Sequence, residues 1–131
     1  MSAFYIHLLP VRVLIADDAE AIRRCIRGLL ECEPTIGVCG EAASFSQTLE
    51  LAATLKPDVI LLDLHMPDDH AFQPSFVKFE LELSGARVLG MSLSSPEDDD
   101  VTRLLAESFG VATLLDKAEF GRVLIPAILQ A

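Results

Sequence analysis

The sequence VILLDLHMP, residues 59–67, joins four consecutive apolar residues to a carboxylate at Asp63. Strands that are buried on both faces of a parallel sheet have such continuous apolar runs. A carboxylate at the end of a buried strand costs free energy unless a nearby group interacts with it. The segment therefore predicts a central strand of a parallel sheet, and it raises the question of what Asp63 interacts with.

Short apolar runs alternate with segments of helical periodicity through the rest of the chain. Such an alternation predicts parallel βαβ units, and right-handed crossovers between them give a doubly wound α/β sheet with helices on both faces. The predicted strands cover 11–16, 38–43, 59–63, 87–93 and 111–117, and the predicted helices cover 19–32, 46–55, 72–83, 95–110 and 119–130.

Apolar residues recur at helical spacing in the predicted helices. We expect the fourth helix to be capped at Ser95 and to bury one apolar stripe. The apolar sets of the first, third and fourth helices are Ile22, Cys25, Ile26, Leu29 and Leu30; Phe72, Phe76, Phe79 and Leu83; and Val101, Leu104, Leu105 and Phe109. Arg23, Arg24 and Arg27 lie off the stripe of the first helix.

The composition is that of one globular domain, with 131 residues, 51% hydrophobic and 23% charged. Residues 1–10 read as an N-terminal arm and 11–131 as the domain, without a signal peptide or a run long enough to span a bilayer. A formal net charge of −10 argues against direct nucleic-acid binding by this domain. The odd cysteine count predicts free thiols in the cytoplasm, with Cys25 and Cys32 as small buried hydrophobes rather than metal ligands.

Chemically distinctive residues follow the predicted strands. Asp17 and Asp18 follow the first strand, Asp63 ends the third, Ser92 lies near the end of the fourth, and Lys117 ends the fifth. The carboxyl ends of parallel strands lie at one edge of a sheet, where doubly wound proteins bind ligands. Clustered carboxylates repel one another, and Mg²⁺ relieves that repulsion. Such a set predicts aspartyl-phosphate chemistry, with Asp63 as nucleophile.

Four segments, VLIADDAEAIRRCIRGLLE, PDVILLDLHMP, VLGMSLSSPED and ATLLDKAEF, resemble the response-regulator receiver domain of bacterial two-component signalling. The resemblance covers roughly residues 11–130. It implies a flavodoxin-like sheet of five strands in the order 2-1-3-4-5, flanked by five helices. The segment LLECEPTIGVCGEAASF is further similar to receivers joined to a LuxR-type helix-turn-helix output domain.

The resemblance implies a role for each residue of the constellation. Asp63 matches the phosphoacceptor, and Asp18 and Asp63 match carboxylates that bind Mg²⁺ directly. Asp17 matches an acid that acts through a metal-bound water. The backbone carbonyl of His65 matches the third protein ligand, with the imidazole expected to point out of the loop. Ser92 matches the switch hydroxyl, and Lys117 matches the family's lysine.

Several positions depart from the family pattern. Leu114 replaces the Tyr or Phe that often changes rotamer on phosphorylation, which puts aromatic switching in question. Asp68 and Ala71 replace glycines of the loop after Pro67. Pro126 falls inside the last predicted helix, where it removes a hydrogen bond.

The resemblance predicts a receiver that takes a phosphoryl group from a histidine kinase and is a signalling domain rather than a separate enzyme. Phosphorylation would change the surface around the fourth and fifth helices. That change would control the formation of a homodimer, or the release of an output domain for transcription that is not visible in this chain. Two alternatives stay open: a phosphorylation-independent pseudo-receiver, and an aspartate-nucleophile phosphatase of the haloacid-dehalogenase kind. The latter requires D-x-D after the first strand, where this sequence has adjacent aspartates.

Overall fold

A computed structural model describes residues 9–67, 73–93, 100–111 and 113–131. The strands are β1 (Val11–Ala16), β2 (Ile36–Ala42), β3 (Val59–Asp63), β4 (Arg87–Ser92) and β5 (Thr113–Asp116). The helices are α1 (Glu20–Glu31), α2 (Phe45–Leu55), α3 (Pro74–Ser84), α4 (Asp100–Ser108) and α5 (Phe120–Gln130), and a short 3₁₀ turn (Lys117–Glu119) precedes α5.

The five strands form one parallel sheet in the order β2-β1-β3-β4-β5. This confirms the predicted fold class and strand order. The register pairs Asp63 with Met91 and Ser92 with Asp116, so the carboxyl ends of β3, β4 and β5 are level with one another. The residues that follow these strands are therefore brought to one edge of the sheet.

Strand β3 is buried along its whole length, as its continuous apolar sequence predicts. Its side chains alternate between two cores. Val59 and Leu61 pack in the core formed with α1 and α5, whereas Ile60 and Leu62 pack in the core formed with α2, α3 and α4. Burial of each such side chain contributes about 1.5–3 kcal/mol, so both cores hold the end of β3 in place.

The face that α3 buries is not the one carrying its phenylalanines. Phe76, Phe79 and Leu83 are 47%, 58% and 64% exposed, whereas Val77 and Leu81 are buried against the sheet. Helix α3 has apolar residues on two faces, so periodicity alone does not identify the inner one. Phe72, the remaining residue of that set, lies outside the described residues.

The predicted inner face of α4 is also partly wrong. Val101 and Leu104 are exposed, whereas Thr102 and Ala106 are buried and Phe109 stacks on Phe45 of α2. Small side chains at the sheet-facing positions carry a weak hydrophobic signal, which is why the pattern favoured the larger neighbours. The cap predicted at Ser95 lies outside the described residues, as do Asp68 and Ala71.

Cys25 and Cys32 are less buried than predicted. Cys25 and Cys32 are exposed and Cys39 is half-buried, all three as free thiols. Cys25 lies at the edge of the α1 stripe, where Ile26 and Leu30 are the buried residues. Helix α5 continues through Pro126. Among the helices of the described ranges, none is long and apolar enough to cross a membrane.

Candidate functional site

The acidic pair lies where β1 passes into α1. Asp17 is completely buried, and its backbone N–H donates to the carbonyl of Ala42 at the end of β2 over 2.9 Å. Its Oδ1 accepts a hydrogen bond of 2.9 Å from the N–H of Ala19, the residue before α1. Asp18 is exposed. One acid is thus fixed inside the protein, and the next faces solvent.

Asp63 ends β3 with only 3% of its surface exposed. Its Oδ1 accepts a hydrogen bond of 3.0 Å from the backbone N–H of His65, and the N–H of Leu64 donates to the carbonyl of Met91 on β4. These contacts hold the chain after β3 against the neighbouring strand and orient the carboxylate.

The three acids converge as the sequence predicted. Asp17, Asp18 and Asp63 each offer a carboxylate oxygen, and these oxygens lie within 4.8 Å of one another. They line a cleft of about 390 Å³. The other residues that line the cleft are Ala19, Ile22, His65, Ser92, Leu93 and Lys117. All six residues predicted from the sequence for the site therefore border one cleft.

Lys117 brings the positive charge of this cleft. Its Nζ lies 2.6 Å from Asp17 Oδ2 and 3.4 Å from Asp63 Oδ1, and its side chain is 8% exposed. Asp17 Oδ2 is buried and accepts no hydrogen bond within the described residues, so the ion pair with Lys117 is the interaction that compensates its charge there. Among the described residues, the ammonium of Lys117 thus faces two buried carboxylates.

Burial raises the pKa of the Asp63 carboxyl to about 6 from its ordinary 3.8. The value of about 6 also includes the negative charge of Asp17 and a hydrogen bond with Asp18, which raise the pKa, and the N–H of His65 and the ammonium of Lys117, which lower it. Ionisation of Asp63 is therefore costly unless further positive charge lies nearby.

This arrangement fits a divalent cation of the Mg²⁺ class. Mg²⁺ prefers oxygen ligands, commonly one or two carboxylates together with waters and phosphate oxygens. Within the described residues, three clustered carboxylates face one lysine, which leaves uncompensated negative charge. A bound dication would relieve both the repulsion and the raised pKa.

Ser92 ends β4 and is 1% exposed, with its Oγ 3.5 Å from Nε2 of His65. The ring of His65 was expected to point out of the loop. The residue is exposed, but its ring reaches across the cleft towards Ser92. The sequence could not show this because the rotamer depends on the space beside β4.

Leu114 is half-buried and packs with the core under α2, α3 and α4. A methyl group placed on Gly90 of the adjacent strand would lie 3.1 Å from Leu114 Cδ1. The position therefore holds a compact aliphatic side chain against β4 rather than an aromatic ring.

The sequence interpretation missed the ionic contacts behind the acidic pair. Arg23 of α1 donates through Nη1 to the backbone carbonyl of Asp17 over 2.7 Å and through Nε to Glu41 Oε1 over 3.0 Å. Arg27 donates to Glu41 Oε2 over 2.8 Å. These hydrogen bonds lower the pKa of the Glu41 carboxyl, that of Arg27 most strongly. The only signal in the sequence was the position of both arginines off the apolar stripe of α1.

Known proteins are similar to this chain in sequence and in fold. The nitrate/nitrite response regulator NarL of Escherichia coli K12 is 40% identical over 95 residues, which cover 72% of this chain and 44% of NarL. The transcriptional regulatory protein LiaR of Bacillus subtilis is 34% identical over 113 residues, covering 86% of this chain and 52% of LiaR. The chain thus spans about half the length of these relatives.

A solved receiver-domain structure has the same fold as this chain. The signal receiver domain of a NarL response regulator from Mycobacterium tuberculosis superposes with a TM-score of 0.74 at 26% identity, over 94% of this chain and 99% of that one. The family described as "Response regulator receiver domain" matches residues 13–124. With the acid cleft at the carboxyl edge of a 2-1-3-4-5 sheet, these matches show that the chain belongs to the response-regulator receiver domain family.

Proposed function

We propose that this receiver domain accepts a phosphoryl group on Asp63, with Mg²⁺ held by Asp17, Asp18, Asp63 and the backbone carbonyl of His65. The observation that carries the proposal is the convergence of three carboxylates within 4.8 Å at the end of β3, with the ammonium of Lys117 beside two of them. Asp17 would act through a metal-bound water, and Asp18 and Asp63 directly.

The proposed reaction is a phosphoryl transfer. A carboxylate oxygen of Asp63 attacks the phosphorus of a phosphohistidine, an O–P bond forms and the P–N bond breaks. The bonding electron pair stays on the donor imidazole, which takes up a proton. Hydrolysis later cleaves the O–P bond and returns the carboxylate and inorganic phosphate, so the domain is a signalling protein that catalyses its own modification rather than a separate enzyme.

Charge compensation is the main requirement of this step, because phosphoryl transfer has a loose transition state with charge spread over the oxygens. A bound Mg²⁺ would supply charge neutralisation at the carboxylates and phosphoryl oxygens. Lys117 supplies a second positive charge, with its Nζ 3.4 Å from Oδ1 of Asp63. Ser92 lies at the neighbouring strand end and is the hydroxyl we assign to a phosphoryl oxygen.

The phosphodonor that we propose is a sensor histidine kinase. The phosphorylated state would pull Ser92 and Lys117 inward and shift a two-state equilibrium. The surface around α4 and α5 would then change, and with it a homodimer contact or an output domain that controls transcription. NarL and LiaR support a regulatory role, since both are regulators and this chain aligns with about half of each. A cytoplasmic location and an N-terminal arm over 1–10 stay predictions, as does the absence of direct nucleic-acid binding.

Acetyl phosphate with Mg²⁺ tests the proposal without the kinase. Intact-mass measurement should show the gain of one phosphoryl group, lost in Asp63→Asn and in EDTA. Asp58→Asn is the matched control. Asp58 immediately precedes β3, at the opposite end of the strand from Asp63, and accepts a hydrogen bond from the N–H of Arg12. That variant should gain the phosphoryl group as the unchanged protein does.

Two results would contradict the proposal. Equal modification of Asp63→Asn would show that another residue is the acceptor. No mass gain, together with no binding of the phosphoryl analogue beryllofluoride, would instead favour the phosphorylation-independent pseudo-receiver.

A further inference from the structure

Arg23 lies behind the acidic pair, outside the cleft that the pair lines. We propose that Arg23, itself oriented by Glu41, is a positioning residue that sets the geometry of Asp17 and Asp18 for cation binding. The inference rests on the metal site proposed above and names residues that contact neither the cation nor the phosphoryl group.

The guanidinium of Arg23 connects three elements. Arg23 belongs to α1, and it donates to the carbonyl of Asp17 after β1 and to the carboxylate of Glu41 on β2. Its side chain is 17% exposed. A planar guanidinium presents several donors in a fixed arrangement, so two acceptors in different directions restrict its orientation.

The peptide groups of Asp17 are held from both sides. The N–H donates to the carbonyl of Ala42, and the carbonyl accepts from Arg23, whose other partner, Glu41, is the residue before Ala42. The end of β1 is thus attached to the end of β2 twice, once through the backbone and once through Arg23.

The carbonyl of Asp17 belongs to the peptide group that joins Asp17 to Asp18. Because this peptide group is planar, fixing its carbonyl also fixes the direction in which the chain enters Asp18. Asp18 is exposed, so core packing does not orient it. We therefore expect the hydrogen bond from Arg23 to limit the positions that the Asp18 carboxylate can occupy relative to Asp63.

Arg23 and Arg27 both bind Glu41, but only Arg23 is seen to contact Asp17 within the described residues. The Oε1 of Glu41 accepts from Arg23 and its Oε2 accepts from Arg27, so the carboxylate is shared between two arginines. The cluster carries one net positive charge, since two guanidinium groups face one carboxylate. Arg27 reaches Glu41, and none of its contacts among the described residues is with Asp17, so the two arginines differ in their access to the acidic pair.

The test is Mg²⁺ affinity of the unphosphorylated protein, measured by calorimetry for Arg23→Met and for the matched control Arg27→Met. Residues that orient metal ligands typically change affinity about 10–100-fold when removed. We expect Arg23→Met to raise the dissociation constant about 10-fold, Arg23→Lys to give an intermediate value, and Arg27→Met to stay within about 2-fold.

A second readout separates positioning from general damage. Arg23→Met should phosphorylate with acetyl phosphate at a near-normal rate once Mg²⁺ is saturating, because the acceptor and Lys117 are unchanged. Arg23→Met should lose more stability in urea than Arg27→Met, because it loses the hydrogen bond to the Asp17 carbonyl as well as the ion pair to Glu41, so the two affinities are compared at a temperature where both variants are folded.

Equal Mg²⁺ affinities of the two variants, whether both weakened or both normal, would overturn the inference. A slow rate of Arg23→Met at saturating Mg²⁺ would also overturn it, because the defect would then extend beyond cation binding. Failure of the proposed function would look different, since the unchanged protein would then bind no Mg²⁺.

Discussion

Lys117 and Asp17 form a buried ion pair, with Nζ 2.6 Å from Oδ2 and side chains that are 8% and 0% exposed. The two residues are one hundred positions apart in the chain, at the ends of β5 and β1. Removal of one partner of a buried pair leaves an uncompensated charge, which costs far more than loss of a surface pair.

Lys117→Met should therefore destabilise the metal-free protein. We expect the free energy of unfolding to fall by about 3 kcal/mol in urea with EDTA at pH 7. Lys78→Met is the control, because Lys78 is half-buried on α3 and methionine retains an unbranched stem of similar length. It should change stability by less than about 1 kcal/mol. Similar losses of unfolding free energy in both variants would show that the ion pair of Lys117 with Asp17 does not stabilise the protein.

Asp63→Asn should stabilise the metal-free protein, and increasingly so as the pH rises. The folded-state pKa of about 6 lies above the ordinary 3.8, chiefly because of burial. This carboxyl therefore contributes full stability only when protonated, below about pH 4, and loses that contribution as the pH rises through 6. Asparagine stays neutral and retains an oxygen that can accept from the N–H of His65.

The measurement is guanidinium unfolding in EDTA between pH 4 and pH 7. The stability of Asp63→Asn minus that of the unchanged protein should grow by about 1–2 kcal/mol over this range. Asp58→Asn is the control, because it removes an exposed carboxylate at the opposite end of β3, where Asp58 accepts a hydrogen bond from the N–H of Arg12. A pH-independent difference for Asp63→Asn would contradict the raised pKa.

Mg²⁺ should stabilise the unchanged protein and have less effect on Asp18→Asn. A ligand that binds only the folded state adds about 2.7 kcal/mol at one hundred times its dissociation constant. Glu20→Gln removes the same charge two residues further on, where the exposed Glu20 pairs with Arg24. Melting curves with and without Mg²⁺ should show a full shift for Glu20→Gln and a reduced one for Asp18→Asn. A full shift in Asp18→Asn would remove it from the ligand set.

Two glycine-to-alanine changes should have opposite effects. A methyl group at Gly90 on β4 would lie 2.9 Å from Val111 Cγ1 and 3.1 Å from Leu114 Cδ1, whereas one at Gly28 meets no atom of the described residues within 4 Å. Overpacking costs about 1–3 kcal/mol, and alanine in a helix interior gains about 0.5–1 kcal/mol. Urea unfolding should show Gly90→Ala destabilised and Gly28→Ala stabilised. A neutral Gly90→Ala would mean that β4 and β5 adjust without strain.

Local sequence predicted the strands and the acid cleft well, for one physical reason. A buried parallel strand needs an uninterrupted apolar run, so a polar residue after the run marks the strand end, as at Asp63 and Ser92. Once the fold class is assigned, these ends coincide in space, and the site follows from chain order without any knowledge of side-chain packing.

The buried face of each helix was predicted less well, because a helix can carry apolar residues on two faces and only one of them packs on the sheet. Helix α3 offers Phe76, Phe79 and Leu83 on one face and Val77 and Leu81 on another, and the smaller set is buried. Both sets have helical spacing. The choice between them is made by the fit against β3, β4 and the neighbouring helices, which no local pattern contains.

The sequence by itself determined the fold class, the strand order through the family resemblance, and the residues of the acid cleft, because continuous apolar runs and the polar residues ending them are local properties. Only the tertiary structure decided which partner each charge has. It paired Lys117 with Asp17, turned the ring of His65 towards Ser92, and placed Arg23 between Asp17 and Glu41. Those contacts join elements distant in sequence, and electrostatic and hydrogen-bond energies depend on distances that exist only after the chain has folded.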